Sequence, residues 1–206
     1  KPEVQKWHFA GGFRQQPEID QVHRFFDFDR IRLYDVVGAD KHEGAYGLIW
    51  GFREGVPHDG FYEIRFKAAA VNRRHPYDVE FVGTDPEEPL RLGIVAGNLK
   101  AGPLHKPQPI EPLLAEMELA DEPQWYSARV WLDAGFTPRF TFRNGLMDAR
   151  TMWAKLVRNY PDEFPPRVRG GIVEQRRNAI MYGKLPQIHI HEVQIEGPFY
   201  DQWPRA

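Results

Sequence analysis

The 206-residue chain contains no cysteine. That absence excludes thiol catalysis, disulfide cross-links, iron–sulfur clusters, thiolate zinc sites and covalent CxxCH haem attachment. It leaves the compartment open, because a chain of this length can bury an adequate core without disulfides. A charge excess is missing too: 27 Lys and Arg against 29 Asp and Glu leave a formal net charge of -2, so no basic surplus points to nucleic acid. No run approaches the roughly 18 consecutive apolar residues of a membrane-spanning helix. The chain starts at Lys1, with no initiator Met, apolar leader or small-residue cleavage site ahead of it. The expectation is a piece processed or excised from a longer exported protein, periplasmic or extracellular. Repeats, low-complexity tracts and long Gly/Ser linkers are also absent.

Signatures of chemistry are equally sparse. There is no G-x-S-x-G elbow and no Ser, His and acid in a recognisable nucleophile context. No Gly-rich strand-to-helix loop offers a phosphate site. Asp85, Glu87 and Glu88 fall in turn-rich sequence and Glu63 at an outward strand position, where solvation is the default role. The expectation is a protein without catalytic machinery.

What the chain does have is aromatics, at 14%, with 18 Pro and 18 Gly punctuating short apolar segments. That composition suits an all-β fold with many turns. Phe61 to Ala70 follows the turn Pro57-His58-Asp59-Gly60 and alternates cleanly. Tyr62, Ile64, Phe66, Ala68 and Ala70 fall on one face, and Glu63, Arg65 and Lys67 on the other. Trp125 to Leu132 does the same, with Tyr126, Ala128, Val130 and Leu132 inward and Trp125, Ser127, Arg129 and Trp131 outward. After the turn at Asp133-Ala134-Gly135, a strand over Arg139 to Arg143 points Phe140 and Phe142 inward and ends at Asn144-Gly145. Further strands are expected over Arg30 to Val36, Ala45 to Trp50, Tyr77 to Val82, Leu90 to Val95 and Ile188 to Glu196. In the last, the apolar phase shifts between Ile190 and Val193, which predicts a bulge near His191 and Glu192. Helical spacing of Met152, Trp153, Leu156 and Val157 predicts a helix from an N-cap at Asp148 to about Asn159, and a second short helix covers Ile172 to Ile180. The expected architecture is one all-β module over 1–206, a jelly-roll-like antiparallel β-sandwich with a helical insertion at 148–183.

Two readings involve metal. His189 and His191 lie two residues apart, so a regular strand would place both imidazoles on one face, a geometry that can hold zinc or copper if a third ligand joins them. Glu192 points the other way unless the bulge turns it. A structural calcium would draw oxygen ligands from loop edges such as Asp35, Asp40, Glu43 and Asp133.

Sugar recognition needs aromatic faces for stacking and polar side chains that reach hydroxyls. Three stretches mix these types. Trp50 and Phe52 share a strand face just before a turn. Asn72, Arg73, His75 and Tyr77 lie in a polar, aromatic loop directly after the clearest strand. Trp125 and Trp131 share an outward strand face, which the Trp153 helix is expected to cover. The first two supply the candidate ligand-binding residues.

Several stretches together resemble a known family. They are Trp7-His8-Phe9, then Phe13-Arg14-Gln15-Gln16-Pro17-Glu18, Asp59 to Ala68, and Leu90-Arg91-Leu92-Gly93. The most specific is the closing I-x-I-x-x-V-x-I-E-G-P run, Ile188 to Pro198, followed by Trp203-Pro204. The pattern is similar to the central β-rich segment of planctomycete-type multidomain proteins, which combine c-type haem domains with domains of unknown function. The resemblance implies a module similar to carbohydrate-binding sandwiches, in an exported protein acting on polysaccharide, with haem ligands in other domains. It supplies no catalytic residue. Binding of polysaccharide or oligosaccharide therefore ranks first. A structural module docking on neighbouring domains through Phe199, Tyr200 and Trp203 ranks second. A small metalloenzyme built on His189 and His191 ranks third.

Overall fold

The computed structural model describes residues 1–11, 13, 29–34, 45–146, 149–164 and 178–204. Among the described residues nine strands build two antiparallel sheets. The first sheet joins β1 (Gln5–Phe9), β9 (Gln187–Phe199), β4 (Gly60–Val71) and β7 (Gln124–Leu132) in that order, with β2 (Ile31–Leu33) also pairing with β9. The second joins β3 (Tyr46–Gly47), β8 (Phe136–Phe142), β5 (Arg91–Asn98) and β6 (Leu113–Glu118). The expected all-β sandwich is the fold observed.

Alternation is what makes it a sandwich. Tyr62, Ile64, Phe66 and Ala68 of β4 and Ile188, Ile190, Val193 and Ile195 of β9 face inward. They meet Leu92, Ile94 and Ala96 of β5 and Phe140 and Phe142 of β8 in one buried core. Phe66 sits at its centre, stacked on Tyr126 and edge-on to Phe140 with ring centroids 5.2 Å apart. Truncating such a ring to Ala costs about 3–5 kcal/mol.

The bulge in β9 lies where the apolar phase shift predicts it. Lys67 pairs with Glu192 and Ala68 with Ile190, so His191 is the additional residue. Without it Val193 and Ile195 would turn outward, because a one-residue slip exchanges the two faces of a strand.

The outer face of the second sheet is covered by segment 99–112. Leu104 packs there against Ala45, Tyr46, Leu48 and Val95. Arg139, at an outward position of β8, is completely buried beneath it. Its Nη1 donates to the carbonyls of Leu104 and Lys106, and its Nη2 to the carbonyl of Ala96 at 3.1 Å and to Glu111 at 2.6 Å. A Cβ on Gly97 would stand 2.3 Å from Arg139 Nε, so only glycine leaves room for the guanidinium.

Local expectations needed correction in several places. The strand expected over Tyr77 to Val82 is instead a single helical turn, α1 (Val79–Val82). The Asp78 side chain accepts from Glu80 N at its start, and Gly83 ends it at φ 77. The strand expected over Ala45 to Trp50 is reduced to Tyr46–Gly47, and Trp50–Phe52 forms a 3-10 turn. Strand β8 begins three residues earlier than expected, and β1 and β6 were not expected as strands. The helix expected to about Asn159 is α2 (Ala149–Asn159). Its N-cap at Asp148 lies outside the described residues, as do the first six residues of the helix expected at 172–180. Residues 178–182 are helical. Met152 and Leu156 of α2 bury against Tyr34, Tyr77, Val82 and Leu146, a cluster apart from the main core.

Candidate binding surface

The two candidate patches favoured on sequence do not form one site. Trp50 and Phe52 precede the start of β4, whereas Asn72 to Tyr77 follow its end. Phe52 packs on Trp7 and Phe9 of β1, level with Ile64 to Phe66 of β4, whereas Asn72 to Tyr77 lie beyond the far end of that strand.

Neither patch offers free rings. Phe52 is buried, edge-on to Trp7 and Phe9 with centroids 5.1 and 5.9 Å away. Trp50 is half-buried, with the Arg53 guanidinium carbon 4.8 Å from its ring centroid. Tyr77 and His75 are buried and stacked on each other. The Tyr77 hydroxyl donates to Glu163 and accepts from Lys184 N, and burial followed by the Glu163 contact pushes its pKa up. Arg73 forms a two-pronged pair with Asp121 at 2.7 and 2.9 Å, and also donates to the Pro86 carbonyl. Asn72 adopts a left-handed φ of 55 and donates to the Leu185 carbonyl. The loop spends its polar groups on its own fold. Of the six candidate ligand-binding residues, Phe52, His75 and Tyr77 are buried.

The His189 and His191 rings meet edge-on, with centroids 6.2 Å apart at an interplanar angle of 78°. His189 Nε2 is 3.0 Å from Gln187 Oε1. Burial, then the positive charges of Arg32 and Arg30, lower the His189 pKa to about 3, and burial lowers that of His191 as well. Among the described residues no group of three or more His, Cys, Asp or Glu is gathered as a metal would need. Of the calcium candidates, Asp133 accepts a hydrogen bond from Trp131 Nε1 at 2.9 Å, while Asp35, Asp40 and Glu43 lie outside the described residues.

In the third stretch Trp125 stands in the open and Trp131 is half-buried. The register across the first sheet aligns its outward side chains into rows. Trp131, Phe61 and Phe199 form the first row, and Arg129, Glu63, Glu196 and Lys6 the second. Ser127, Arg65, Gln194 and His8 form the third, and Trp125, Lys67 and Glu192 the fourth. Trp125 is 40% exposed, so α2 does not cover it. Six residues of β7 separate the two indoles by about 20 Å.

Each ring has neighbours that set its pose. Trp131 meets Phe61 edge-on, centroids 5.1 Å apart. The Arg129 guanidinium carbon lies 4.9 Å from the Phe61 centroid and 6.0 Å from that of Phe199, and Arg129 pairs with Asp201 at 2.8 Å. Arg65 lies 5.2 Å from the Trp125 centroid and donates to Gln194 at 3.4 Å. Glu196 pairs with Lys6, and Glu192 with His8. The surface is an open sheet face with aromatic rings at both ends and donors and acceptors between. Sequence alternation identifies Trp125, Trp131, Arg65 and Lys67 as outward. Only the pairing of β4 with β7 and β9 shows that they share a surface with Gln194, Glu192 and His8.

No family model matches the chain, and no curated protein matches it. Among solved structures it is similar to the C-terminal CBM6 of a marine laminarinase from Zobellia galactanivorans, at 11% identity and a TM-score of 0.31, over 69% of this chain and 65% of that one. It is also similar to the CBM22-1–GH10 modules of Clostridium thermocellum xylanase 10B complexed with xylohexaose, at 8% identity and a TM-score of 0.39. That match covers 98% of this chain and 26% of the other. A third match is Eiger TNF from S. frugiperda, at 11% identity and a TM-score of 0.37, over 98% of each chain. At these identities and TM-scores the likenesses carry no argument for function. Among the described residues no helix is long and apolar enough to cross a membrane.

Proposed function

We propose that this chain is a non-catalytic carbohydrate-binding module whose ligand, a polysaccharide chain, lies along β7 on the outer face of the first sheet. The observation that supports this most is the exposed Trp125, set about 20 Å from Trp131 on the same strand face with Arg65, Arg129, Glu63 and Gln194 between them. Sugar rings present apolar C–H faces that pack on aromatic rings and hydroxyls that need paired donors and acceptors. A platform with both supplies affinity through burial and orientation through hydrogen bonds. An open sheet face also matches an extended polymer better than a small ligand, which requires a concave pocket. In this reading the module holds a larger exported protein on polysaccharide.

The test is affinity electrophoresis through gels containing single polysaccharides, comparing the native chain with Trp125→Ala and Trp131→Ala. Retardation of the native chain by at least one polysaccharide, lost in the variants, supports the reading. Equal mobility of all three in every gel contradicts it.

A second reading rests on a separate observation. Trp203 is 46% exposed and its ring packs on Tyr200 with centroids 4.8 Å apart, beside the Asp201–Arg129 pair. An exposed aromatic pair of this kind also suits a contact with a neighbouring domain. Full glycan binding by a Trp203→Ser variant would separate this function from the sheet face.

A further inference from the structure

The outer face of the first sheet is polarised along its strands. Its Trp131 half carries Arg129 and Lys6 against Glu63, Glu196 and Asp201. Both cations are already paired, Arg129 with Asp201 at 2.8 Å and Lys6 with Glu196 at 3.1 Å. Its Trp125 half carries Arg65 and Lys67, with Arg32 and Arg30 beyond them at the β2–β9 edge, against Asp29 and Glu192. Asp29 is held by Arg30 and lies 3.9 Å from Arg32, while Glu192 is engaged by His8. Among the described residues four cations stand with two carboxylates there, and of the four only Arg65 and Lys67 bear on a ligand.

Two of these cations are available. Lys67 forms no ion pair among the described residues, although Glu192 is its neighbour in the register. Among the described residues Arg65 touches neutral groups, the Trp125 ring and the Gln194 amide oxygen. The local field is felt nearby, since Arg30 and Lys67 both act to lower the His191 pKa after burial does. Unpaired cations beside an exposed indole are an uneconomical arrangement for a neutral ligand, which would leave their charge unanswered. A carboxylate or sulfate answers it, the planar guanidinium through a two-pronged contact and the ammonium as a point charge.

We infer that the ligand of this face is an acidic polysaccharide, its carboxylate or sulfate groups seated on Arg65 and Lys67 while a sugar ring packs on Trp125. The inference rests on the glycan-binding reading above and adds the charge of the ligand to it. Both acidic chemistries present the same anionic oxygens, so the experiment carries one arm for each.

The experiment measures binding of the whole chain to a neutral β-glucan, to polygalacturonate as the carboxylated arm, to a sulfated galactan as the sulfated arm, and to polyphosphate as a polyanion without sugar. Variants Arg65→Gln and Lys67→Gln test the cations, Trp125→Ala tests stacking, and Lys100→Gln, an exposed cation elsewhere, serves as control. The expected result is binding to at least one acidic glycan that weakens about threefold to tenfold in each of Arg65→Gln and Lys67→Gln. That binding falls with added salt, disappears in Trp125→Ala and is unchanged in Lys100→Gln. Neutral glucan bound as tightly, with Arg65→Gln and Lys67→Gln unaffected, overturns the acidic ligand and leaves the glycan-binding face standing. Polyphosphate bound as tightly as any glycan, or no glycan bound at all, overturns both.

Discussion

Arg65 and Trp125 are diagonal neighbours on β4 and β7, and the guanidinium carbon lies 5.2 Å from the centroid of the indole. One side of the ring is thereby fixed by a cation while the ring as a whole stays 40% exposed. A ring held this way is organised for contact before a ligand arrives, which lowers the ordering cost of binding. Removing it should separate binding from stability. Trp125→Ala is expected to shift unfolding free energy by no more than about 0.5 kcal/mol, as for exposed sites generally, yet abolish glycan retardation. Trp131→Ala, which loses its packing on Phe61 and its bond to Asp133, should cost about 1–2 kcal/mol as well as binding. Urea unfolding alongside gel retardation measures both quantities.

The buried Arg139–Glu111 pair on the opposite sheet predicts the reverse pattern. Glu111 also accepts from the Tyr46 hydroxyl and from Gln108 N, so one carboxylate ties segment 99–112 to β3 and β8. Glu111→Gln leaves a fully buried guanidinium without its counter-charge, and should cost about 3–5 kcal/mol. Glycan binding on the far sheet should be unchanged at temperatures where the variant is folded. Urea unfolding and gel retardation check this, and unchanged stability would show that the pair does not hold the segment down.

How far these features could be read from sequence depended on the range of the interaction. Strands β4 and β7 and the bulge at His191 were legible because alternation and its phase are local. Strand β1 escaped because pairing with β9, not its own short pattern, defines it. Tyr77 to Val82 has strand-like residues, but Asp78 and Gly83 cap a helical turn. Arg139 occupies an outward position, and nothing in its neighbourhood announces that segment 99–112 will cover it. The exposure of the outer face of the first sheet was not legible for a similar reason. Trp125 and Trp131 were expected beneath the helix that now packs on Tyr34 and Tyr77. The burial of Phe52, His75 and Tyr77 depends on partners far away in sequence, such as Trp7 and Glu163.

Acid should weaken the fold before its carboxylates titrate. In the folded chain His189 stays neutral down to about pH 3, whereas an unfolded histidine gains a proton near 6.5. The unfolded state then binds more protons, so stability is full above pH 6.5 and declines as pH falls from 6.5 toward 3. His191 is lowered in the same direction and adds to the decline. Between pH 6.5 and about 4.5, above the ordinary carboxylate range, the slope belongs chiefly to histidines. Urea midpoints across that window should fall with pH in the native chain and fall less steeply in His189→Gln. Equal slopes would show that His189 is not held neutral.

The outer-sheet platform is tested most directly by the side-chain indole N–H resonances of the six tryptophans during titration with a polysaccharide that retards the chain. Binding along β7 predicts that the Trp125 and Trp131 resonances shift together and saturably. That of Trp7, packed inward against Phe52 and Tyr62, should stay in place. Saturable shifts at Trp50 with Trp125 and Trp131 unmoved would contradict the account and return the site to the Trp50–Phe52 turn.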